Sequence, residues 1–166
     1  MKRLIILGSG GYGRTVLDIA EQLGYDPIIV LDDAISGYEL LTFESYIDSN
    51  TEYAVAFGQN EFRLSWCDLI SSIPGVTLAT LIHPTAYVSP KAKIGEGTVI
   101  LPYAVVNTGT EVGRGCILNL GCLVDHDCII EAGAHICLGV IVKGENRISW
   151  CEKVEAGEII QRNTRK

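Results

Sequence analysis

An aliphatic residue recurs at every sixth position from residue 82 to residue 160. Positions 82, 88, 94 and so on to 160 hold Ile, Val or Leu throughout, with no insertion. Neither the 3.6-residue period of an amphipathic helix nor the two-residue period of a half-buried strand produces this spacing. A hexapeptide period is typical of a parallel β-helix, in which three short strands form one triangular coil. The sequence therefore predicts that these aliphatic side chains point inward.

Small residues occupy a second fixed position in the repeat, four residues after each aliphatic one. They are Ala86, Ala92, Thr98, Ala104, Thr110, Cys116, Cys122, Cys128 and Ala134. Glycines at 97, 109, 115, 121, 133, 139 and 157 fall in the turns, where a positive φ is needed. Because the three cysteines follow the spacing of the repeat itself, we interpret them as small core residues and predict no metal site.

Residues 1–76 follow a different pattern, in which strands alternate with helices. The apolar runs Leu4–Leu7, Ile28–Leu31 and Tyr53–Phe57 predict buried strands. Such an alternation favours a parallel sheet in a small Rossmann-like α/β domain. We therefore expect two domains, residues 1–76 and a β-helix over residues 77–166.

Two helices are expected between those strands. The first has its apolar residues between Val16 and Leu23 and stops at Gly24. The second begins after Asn60, its predicted N-cap, and stops before Pro74. Its predicted buried face consists of Phe62, Trp66, Leu69, Ile70 and Ile73.

Composition argues against several classes of protein. The net charge of −7 disfavours nucleic-acid binding, which needs a basic face. No apolar run is long enough to span a membrane, and the N-terminal run LIIL is too short for a signal peptide. Six cysteines without a CxxC pair indicate free thiols and a cytoplasmic location.

The segment GSGGYG at residues 8–13 fits the G-x-G-x-x-G template. It follows a predicted strand, opens a predicted helix and has Asp32 about twenty residues further on, as a dinucleotide site requires. The domain, however, is only about half the size of a full dinucleotide-binding fold. The pyrophosphate of a nucleotide sugar would suit such a loop equally well, because both ligands bind backbone N–H groups at a helix N-terminus.

Histidine suits a general base, because its ordinary pKa of about 6.5 lies near working pH. His126 comes two residues after the inward Val124 and should therefore point outward, although its DHD context is also that of a solvated turn. Asn119 follows the inward Leu118 next to the coil of His126, and is compatible with an active-site hydrogen bond or with a corner asparagine. His83 precedes Pro84 and is best interpreted as a turn residue.

Both halves together resemble the sugar O- and N-acetyltransferases of the sialic-acid and bacillosamine type. The matching stretches are GSGGYGR at 8–14, VLDD at 30–33, AFGQNEFR at 56–63, TLIHPTAYVSPKAKIGEGTVI at 80–100 and ILNLGCLVDHDCIIEAGAHI at 117–136. The resemblance implies a left-handed β-helix, which the spacing alone does not show, since parallel crossovers are nearly always right-handed. It also implies a homotrimer that transfers acetyl from acetyl-CoA to an amine or hydroxyl of a nucleotide-linked amino sugar or sialic-acid-like sugar.

The resemblance also implies roles for single residues. His126 would be the general base, Asp127 would raise its basicity, and Asn119 would belong to the catalytic group. His135, nine residues on and expected on the coil above, would contact acetyl-CoA. The nucleotide sugar would be held by Gly11, Tyr12, Gly13, Asp32, Asp33 and Gly58. Tyr12 stands where relatives often have histidine.

The repeat departs from this family pattern beyond Val140. Its small-residue position holds Asn146, Glu152 and Glu158, and the chain ends in QRNTRK where longer members continue. Either a polar edge caps a shortened last coil or CoA binding is compromised. Possible partners for CoA phosphates, or simply surface charges, are Lys143, Arg147, Lys153 and Arg162.

Two other functions remain open at this point. One is a non-catalytic nucleotide-sugar-binding protein with a degraded CoA site. The other is a zinc-dependent β-helix lyase, which would need three histidines close together, whereas His83 lies more than two coils from His126.

Overall fold

The computed structural model describes residues 2–166 and divides the chain into two compact units, residues 1–79 and 80–166. The division falls after Ala79 and not after residue 76, because a short strand, Thr77–Leu78, pairs with a strand of the first unit. No helix within residues 2–166 is both long and apolar enough to cross a lipid bilayer.

The first unit is a four-stranded parallel sheet with two α-helices, as the alternating pattern predicts. Its elements are β1 Arg3–Leu7, α1 Gly11–Gln22, β2 Ile28–Leu31, a 3-10 helix Leu40–Tyr46, β3 Thr51–Val55, α2 Asn60–Ser71 and β4 Thr77–Leu78. The strand order is β2-β1-β3-β4, and all neighbouring strands are parallel. Strand β1 lies inside the sheet and is almost wholly buried. The glycine-rich loop follows its C-terminal end and therefore lies at the carboxyl edge of the parallel sheet.

Helix α2 differs from the sequence prediction at its start and in its buried face. Its N-cap is Gln59, whose side-chain oxygen accepts the N–H of Phe62, and not Asn60. Phe62 and Leu69 are exposed, whereas the fully buried Arg63 donates hydrogen bonds to the carbonyls that precede the helix. The guanidinium finds its acceptors there, and this rotates the helix away from the face that apolarity alone predicts.

The second unit is a left-handed parallel β-helix built from two-residue strands, which confirms the hexapeptide prediction. Its strands are β5 Leu81–Ile82, β6 Tyr87–Val88, β7 Lys93–Ile94, β8 Val99–Ile100, β9 Val105–Val106, β10 Glu111–Val112, β11 Ile117–Leu118, β12 Leu123–Val124, β13 Ile129–Ile130, β14 His135–Ile136, β15 Ile141–Val142, β16 Arg147–Ile148, β17 Lys153–Val154 and β18 Ile159–Ile160. They form three faces: face 1 (β5, β8, β11, β14, β17), face 2 (β6, β9, β12, β15, β18) and face 3 (β7, β10, β13, β16).

The core follows the repeat closely. The inward aliphatic residues from Ile100 to Ile160 are all buried, and those before Ile100 pack against them. Cys116, Cys122 and Cys128 are completely buried in that core, and all six cysteines are free. The predicted turn glycines all have positive φ, and Asp127 has a φ of 55° at the same turn position of its hexad.

Asn146 organises the last coil, which is the outcome expected if a polar edge caps it. It is 2% exposed, and its amide makes four hydrogen bonds to the backbone. The Nδ2 group donates to the carbonyls of Lys143 and Gln161, and the Oδ1 atom accepts the N–H groups of Thr164 and Arg165. The guanidinium of Arg165 in turn pairs with Glu152 and Glu158.

Candidate active site

His126 lies at the edge between faces 2 and 3, in the turn that follows β12. Strand β12 ends at Val124, and His126 lies in the turn that follows, so its side chain points out of the coil, as predicted, and is 32% exposed. Its Nδ1 lies 2.8 Å from Oδ2 of Asp127. A carboxylate can only accept, so Nδ1 carries the proton and Nε2 is the nitrogen available to take another.

Electrostatics at this edge favour a basic imidazole. The hydrogen bond that His126 donates to Asp127 is the largest of several influences that raise the pKa of His126 above its ordinary value. The negative charges of Asp125 and Asp127 act in the same direction, whereas the charge of Arg162 opposes them. Such an imidazole can accept a proton from a bound nucleophile and hold it as an ion pair.

Two glycines give the His126–Asp127 pair its space, one on the preceding coil and one on the following coil. A Cβ atom on Gly109 would lie 2.3 Å from Oδ1 of Asp127. A Cβ atom on Gly144 would lie 2.8 Å from Nε2 of His126. Both glycines are eighteen positions from the residue that they accommodate, which is the spacing of strand pairs in the coil.

Asp125 also belongs to this edge, although sequence reasoning did not select it. Its Oδ1 accepts the backbone N–H of His126 at 2.7 Å and the Nδ2 group of Asn107 at 3.0 Å. Its Oδ2 lies 3.8 Å from Nε2 of His126. The backbone N–H of His126 is the main reason why the pKa of Asp125 lies below its usual range. A sequence signal existed, since Asn107 precedes Asp125 by one full coil.

Asn119 and His135 come together at a different edge, between faces 1 and 2, and neither joins His126 within one chain. The Nδ2 group of Asn119 lies 3.1 Å from Nε2 of His135. Strand β12 crosses the whole width of face 2 between Asn119 and His126. His135 lies on the next coil, as predicted, because β14 pairs with β11 of the coil that holds His126. Nine residues are half a coil, so His135 lies on face 1 and not beside His126.

The remaining histidine and the surface cations have their own partners. His83 is buried, and its Nδ1 accepts the N–H of Thr85, which fits the turn role predicted for it. Within residues 2–166, no group of three or more histidine, cysteine, aspartate or glutamate side chains is placed to hold a metal ion. The four candidate cations contact neighbouring side chains: Lys143 with Gln161, Arg147 with Glu131, Lys153 with Glu155 and Arg162 with Glu145.

The glycine-rich loop of the first unit borders a cavity of about 430 Å³. Of the predicted ligand-binding residues, this cavity is lined by Gly11, Tyr12, Asp32 and Gly58. Gly13 lies outside the lining, and a Cβ atom there would lie 2.1 Å from the carbonyl oxygen of Gly8, so this glycine serves the close packing of α1. Asp33 also lies outside the lining.

The two aspartates that follow β2 accept hydrogen bonds from backbone N–H groups. Oδ2 of Asp32 accepts the N–H and the hydroxyl of Ser9 at 2.7 and 2.8 Å, and its Oδ1 accepts the N–H of Ala34 at 3.0 Å. These hydrogen bonds, with that from Ala34 the strongest, hold the pKa of Asp32 below its usual range. Asp33 accepts the N–H of Leu40 at 2.9 Å. A ligand would therefore meet a carboxylate already fixed to the glycine-rich loop.

Comparison with known proteins agrees with this architecture. Residues 3–70 match the PglD N-terminal domain family, and residues 91–124 match the bacterial transferase hexapeptide family. This combination defines a class of protein in which an α/β domain precedes a hexapeptide β-helix. The acetyltransferase domain of PglB from Neisseria gonorrhoeae is 33% identical, with a TM-score of 0.90, and the alignment covers 98% of this chain and 83% of that one. The chain belongs to the PglB/PglD-type acetyltransferase family, which confirms the resemblance.

A ligand complex of the same domain and a second relative also match this chain. The same PglB domain in complex with acetyl coenzyme A matches at 32% identity and a TM-score of 0.89, covering 97% of this chain and 82% of that one. The UDP-N-acetylbacillosamine N-acetyltransferase of Bacillus subtilis is 29% identical over 61% of this chain. That alignment spans about half of the Bacillus protein, 52% of its length.

Proposed function

We propose that this protein transfers an acetyl group from acetyl-CoA to an amine or hydroxyl of a nucleotide-linked amino sugar or sialic-acid-like sugar. The observation that carries the proposal is the outward His126 with its Nδ1 bound to Asp127 and its Nε2 open. Family membership supports it, because the PglB domain binds acetyl coenzyme A and the Bacillus relative is an N-acetyltransferase.

In the proposed reaction, the acceptor attacks the thioester carbonyl while Nε2 of His126 takes its proton. The new bond to the acetyl carbon forms and the C–S bond breaks, so CoA leaves as a thiolate. The imidazolium returns the proton to that thiolate. Asp127 stabilises the imidazolium through its hydrogen bond to Nδ1 and fixes the tautomer, which is the role of the acid partner in related acyl-transfer sites.

The cavity beside the glycine-rich loop is the proposed site for the nucleotide part of the acceptor. Backbone N–H groups at the start of α1 suit a pyrophosphate. Tyr12 lines this cavity and gives it an aromatic wall where relatives often have histidine. Asp32 accepts the N–H of Ser9 in the glycine-rich loop, and Gly58 lines the same cavity.

We further propose a homotrimer whose copies meet through face 2. The outward residues of that face are all apolar: Tyr87, Val105, Leu123, Ile141 and Ile159. Three of them are more than 40% exposed in a single chain, whereas face 3 presents an ion pair between Lys93 and Glu111. We expect a second copy of the chain to cover face 2. The His126 edge and the Asn119–His135 edge lie on opposite sides of this face, so they can come together only between two copies.

The proposed location is the cytoplasm, where thiols stay reduced. All six cysteines are free, and five of them are buried. Buried free thiols fit a reducing compartment.

Mass spectrometry of candidate acceptors incubated with acetyl-CoA tests the proposed activity. UDP-N-acetylbacillosamine and sialic acid serve as probes, and the expected product is heavier by one acetyl group. We expect His126→Ala to lower kcat by about 100- to 10,000-fold. Glu111→Gln, an exposed change on face 3, is the matched control and should keep full activity. Unchanged turnover in His126→Ala would remove the assigned base.

A second candidate is a nucleotide-sugar-binding protein without transferase activity. It is favoured by one observation, that the four candidate cations for CoA phosphates already contact side chains of this chain. Calorimetric titration with CoA separates the two candidates. Binding of the nucleotide sugar without any binding of CoA would support the second candidate.

A further inference from the structure

We propose that Asp125 binds the acceptor's amine beside His126 and makes the site selective for amines over hydroxyls. This inference rests on the proposed acetyltransferase function and assigns it an acceptor class. It concerns Oδ2 of Asp125, the carboxylate oxygen that faces Nε2 of His126.

The two oxygen atoms of Asp125 have different surroundings. Oδ1 holds the turn together, because it accepts the backbone N–H of His126 and the side chain of Asn107. Oδ2 lies 3.8 Å from Nε2 of His126, too far for a direct hydrogen bond. The side chains of His126 and Asp125 are 32% and 43% exposed, so a ligand can reach both atoms from solvent.

A single nitrogen atom can contact both acceptors at once. Two acceptors 3.8 Å apart can each lie about 2.9 Å from one donor atom placed beside them. A neutral primary amine has two N–H groups and one lone pair. One N–H would face Nε2, the other would face Oδ2 of Asp125, and the lone pair would remain for the thioester carbonyl.

A hydroxyl cannot satisfy the same pair. Its one hydrogen would face Nε2, and its lone pairs would then face an ionised carboxylate without any hydrogen between them. Such an arrangement sets the lone pairs of the alcohol oxygen against Oδ2 with no hydrogen between them, which discriminates against the alcohol. The site therefore matches a neutral amine in the number of N–H donors that it can accept.

The transfer step balances with Asp125 unchanged. The amine nitrogen bonds to the acetyl carbon, and the C–S bond breaks to release the CoA thiolate. One N–H proton moves to Nε2 of His126 and then to the thiolate. The second N–H remains in the amide product, still facing Oδ2 of Asp125.

Space and charge around His126 agree with this placement. Gly144 leaves open the volume next to Nε2, where a Cβ atom would lie 2.8 Å from that nitrogen. The other charged groups at this edge already have partners, since Asp127 contacts Nδ1 and Glu145 pairs with Arg162 at 2.5 Å. The Asp125 carboxylate also accepts a hydrogen bond from the backbone N–H of Gly144. Its Oδ2 is the oxygen that lies 3.8 Å from Nε2 of His126.

Asp125→Asn tests the inference with a matched pair of acceptors. The probes are UDP-N-acetylbacillosamine and the same nucleotide sugar with a hydroxyl in place of the acceptor amine. We expect the KM for the amine to rise about 10- to 100-fold, because a hydrogen bond to a charged group is lost. The KM for acetyl-CoA should stay the same, and the inhibition constant of the hydroxyl analogue should not rise. Glu111→Gln is the control for the loss of one surface carboxylate.

The outcomes separate a direct contact from an indirect effect through His126. If Asp125 acts only through the imidazole of His126, the KM for the amine and the inhibition constant of the hydroxyl analogue should change by the same factor. That result would overturn the inference. Asp125→Ser, which also lacks the charge, repeats the comparison if the asparagine variant unfolds in a thermal melt. A wild-type protein that acetylates no acceptor at all would instead refute the proposed function, and the inference with it.

Discussion

The two edges of face 2 share one backbone geometry but carry opposite chemistry. At the His126 edge, an imidazole lies beside carboxylates at Asp125 and Asp127. At the other edge, the amide of Asn119 lies 3.1 Å from the imidazole of His135, and the exposed Leu120 lies next in the chain. The first edge places carboxylates beside its imidazole, whereas the second pairs its imidazole with an amide. In the proposed homotrimer, one edge of each kind would meet at a site between two copies.

Mixing two inactive variants tests this division most severely. His126→Ala and His135→Ala should each show little activity alone. If each site takes His126 from one copy and His135 from its neighbour, random 1:1 trimers should recover about a quarter of wild-type activity. Activity after co-refolding, with the mass of the assembly from light scattering, measures this. Absence of recovery in confirmed mixed trimers would mean that the edges do not cooperate between copies.

Substitution of Gly144 by alanine probes the His126 edge alone. The added Cβ would lie 2.8 Å from Nε2, so the imidazole must move. We expect kcat to fall about 10- to 100-fold, because a small misplacement of a catalytic group is costly. Gly144 lacks a positive φ, so the backbone should accept alanine and the melting temperature should change little. Full activity in this variant would show that the room beside Nε2 is not used.

Asp127→Gly separates catalysis from stability at the same edge. Glycine relieves the left-handed φ of 55°, which favours the fold by about 1 kcal/mol. Loss of the hydrogen bond should lower the pKa of His126, so the acid limb of kcat/KM should move to lower pH. Since the folded pKa is raised, the ion pair stabilises fully below the unfolded pKa of about 6.5, and this contribution disappears as pH rises through the folded pKa.

The variant should therefore be at least as stable as the parent protein above that range and lose its advantage in acid. Thermal melts across pH, with NMR titration of His126, provide the measurement. A variant that is less stable at alkaline pH would contradict the strain assigned to Asp127.

Asn119→Ala should have the smallest effect of the four. It removes one neutral hydrogen bond to His135, which should raise the KM for acetyl-CoA by about 2- to 10-fold. The acid limb that reports His126 should stay in place, because Asn119 lies across face 2 from it. A shift of that limb would show that the two edges are coupled within one chain.

The β-helix was predictable from sequence because each side chain's direction depends only on its place in the hexad. That rule placed Cys116 in the core and His126 on the surface, and both are found there. The same arithmetic, applied to nine residues as half a coil, would have moved His135 to another face. Asp125 was missed because its importance lies in the direction of one oxygen atom, which no period encodes.

The first unit was less predictable because its loops depend on individual contacts. The strand Ile28–Leu31 was predicted with its observed bounds, since an apolar run between turn residues is a local signal. Three features of this unit follow no repeating pattern in the sequence. They are the cap at Gln59, the buried Arg63 and the 3-10 helix Leu40–Tyr46. These contacts are specific to single residues, whereas the direction of a side chain in the coil follows from the six-residue repeat.

The eighteen-residue register has a consequence for how this chain can vary. Each position of the β-helix has its nearest non-sequential neighbours eighteen places before and after it, as Asp127 has Gly109 and His126 has Gly144. Pairwise epistasis in a deep mutational scan should therefore concentrate on diagonals at that separation. A change at position 144 alters the space beside the side chain at 126, so the effects of substitutions at these two positions should not add.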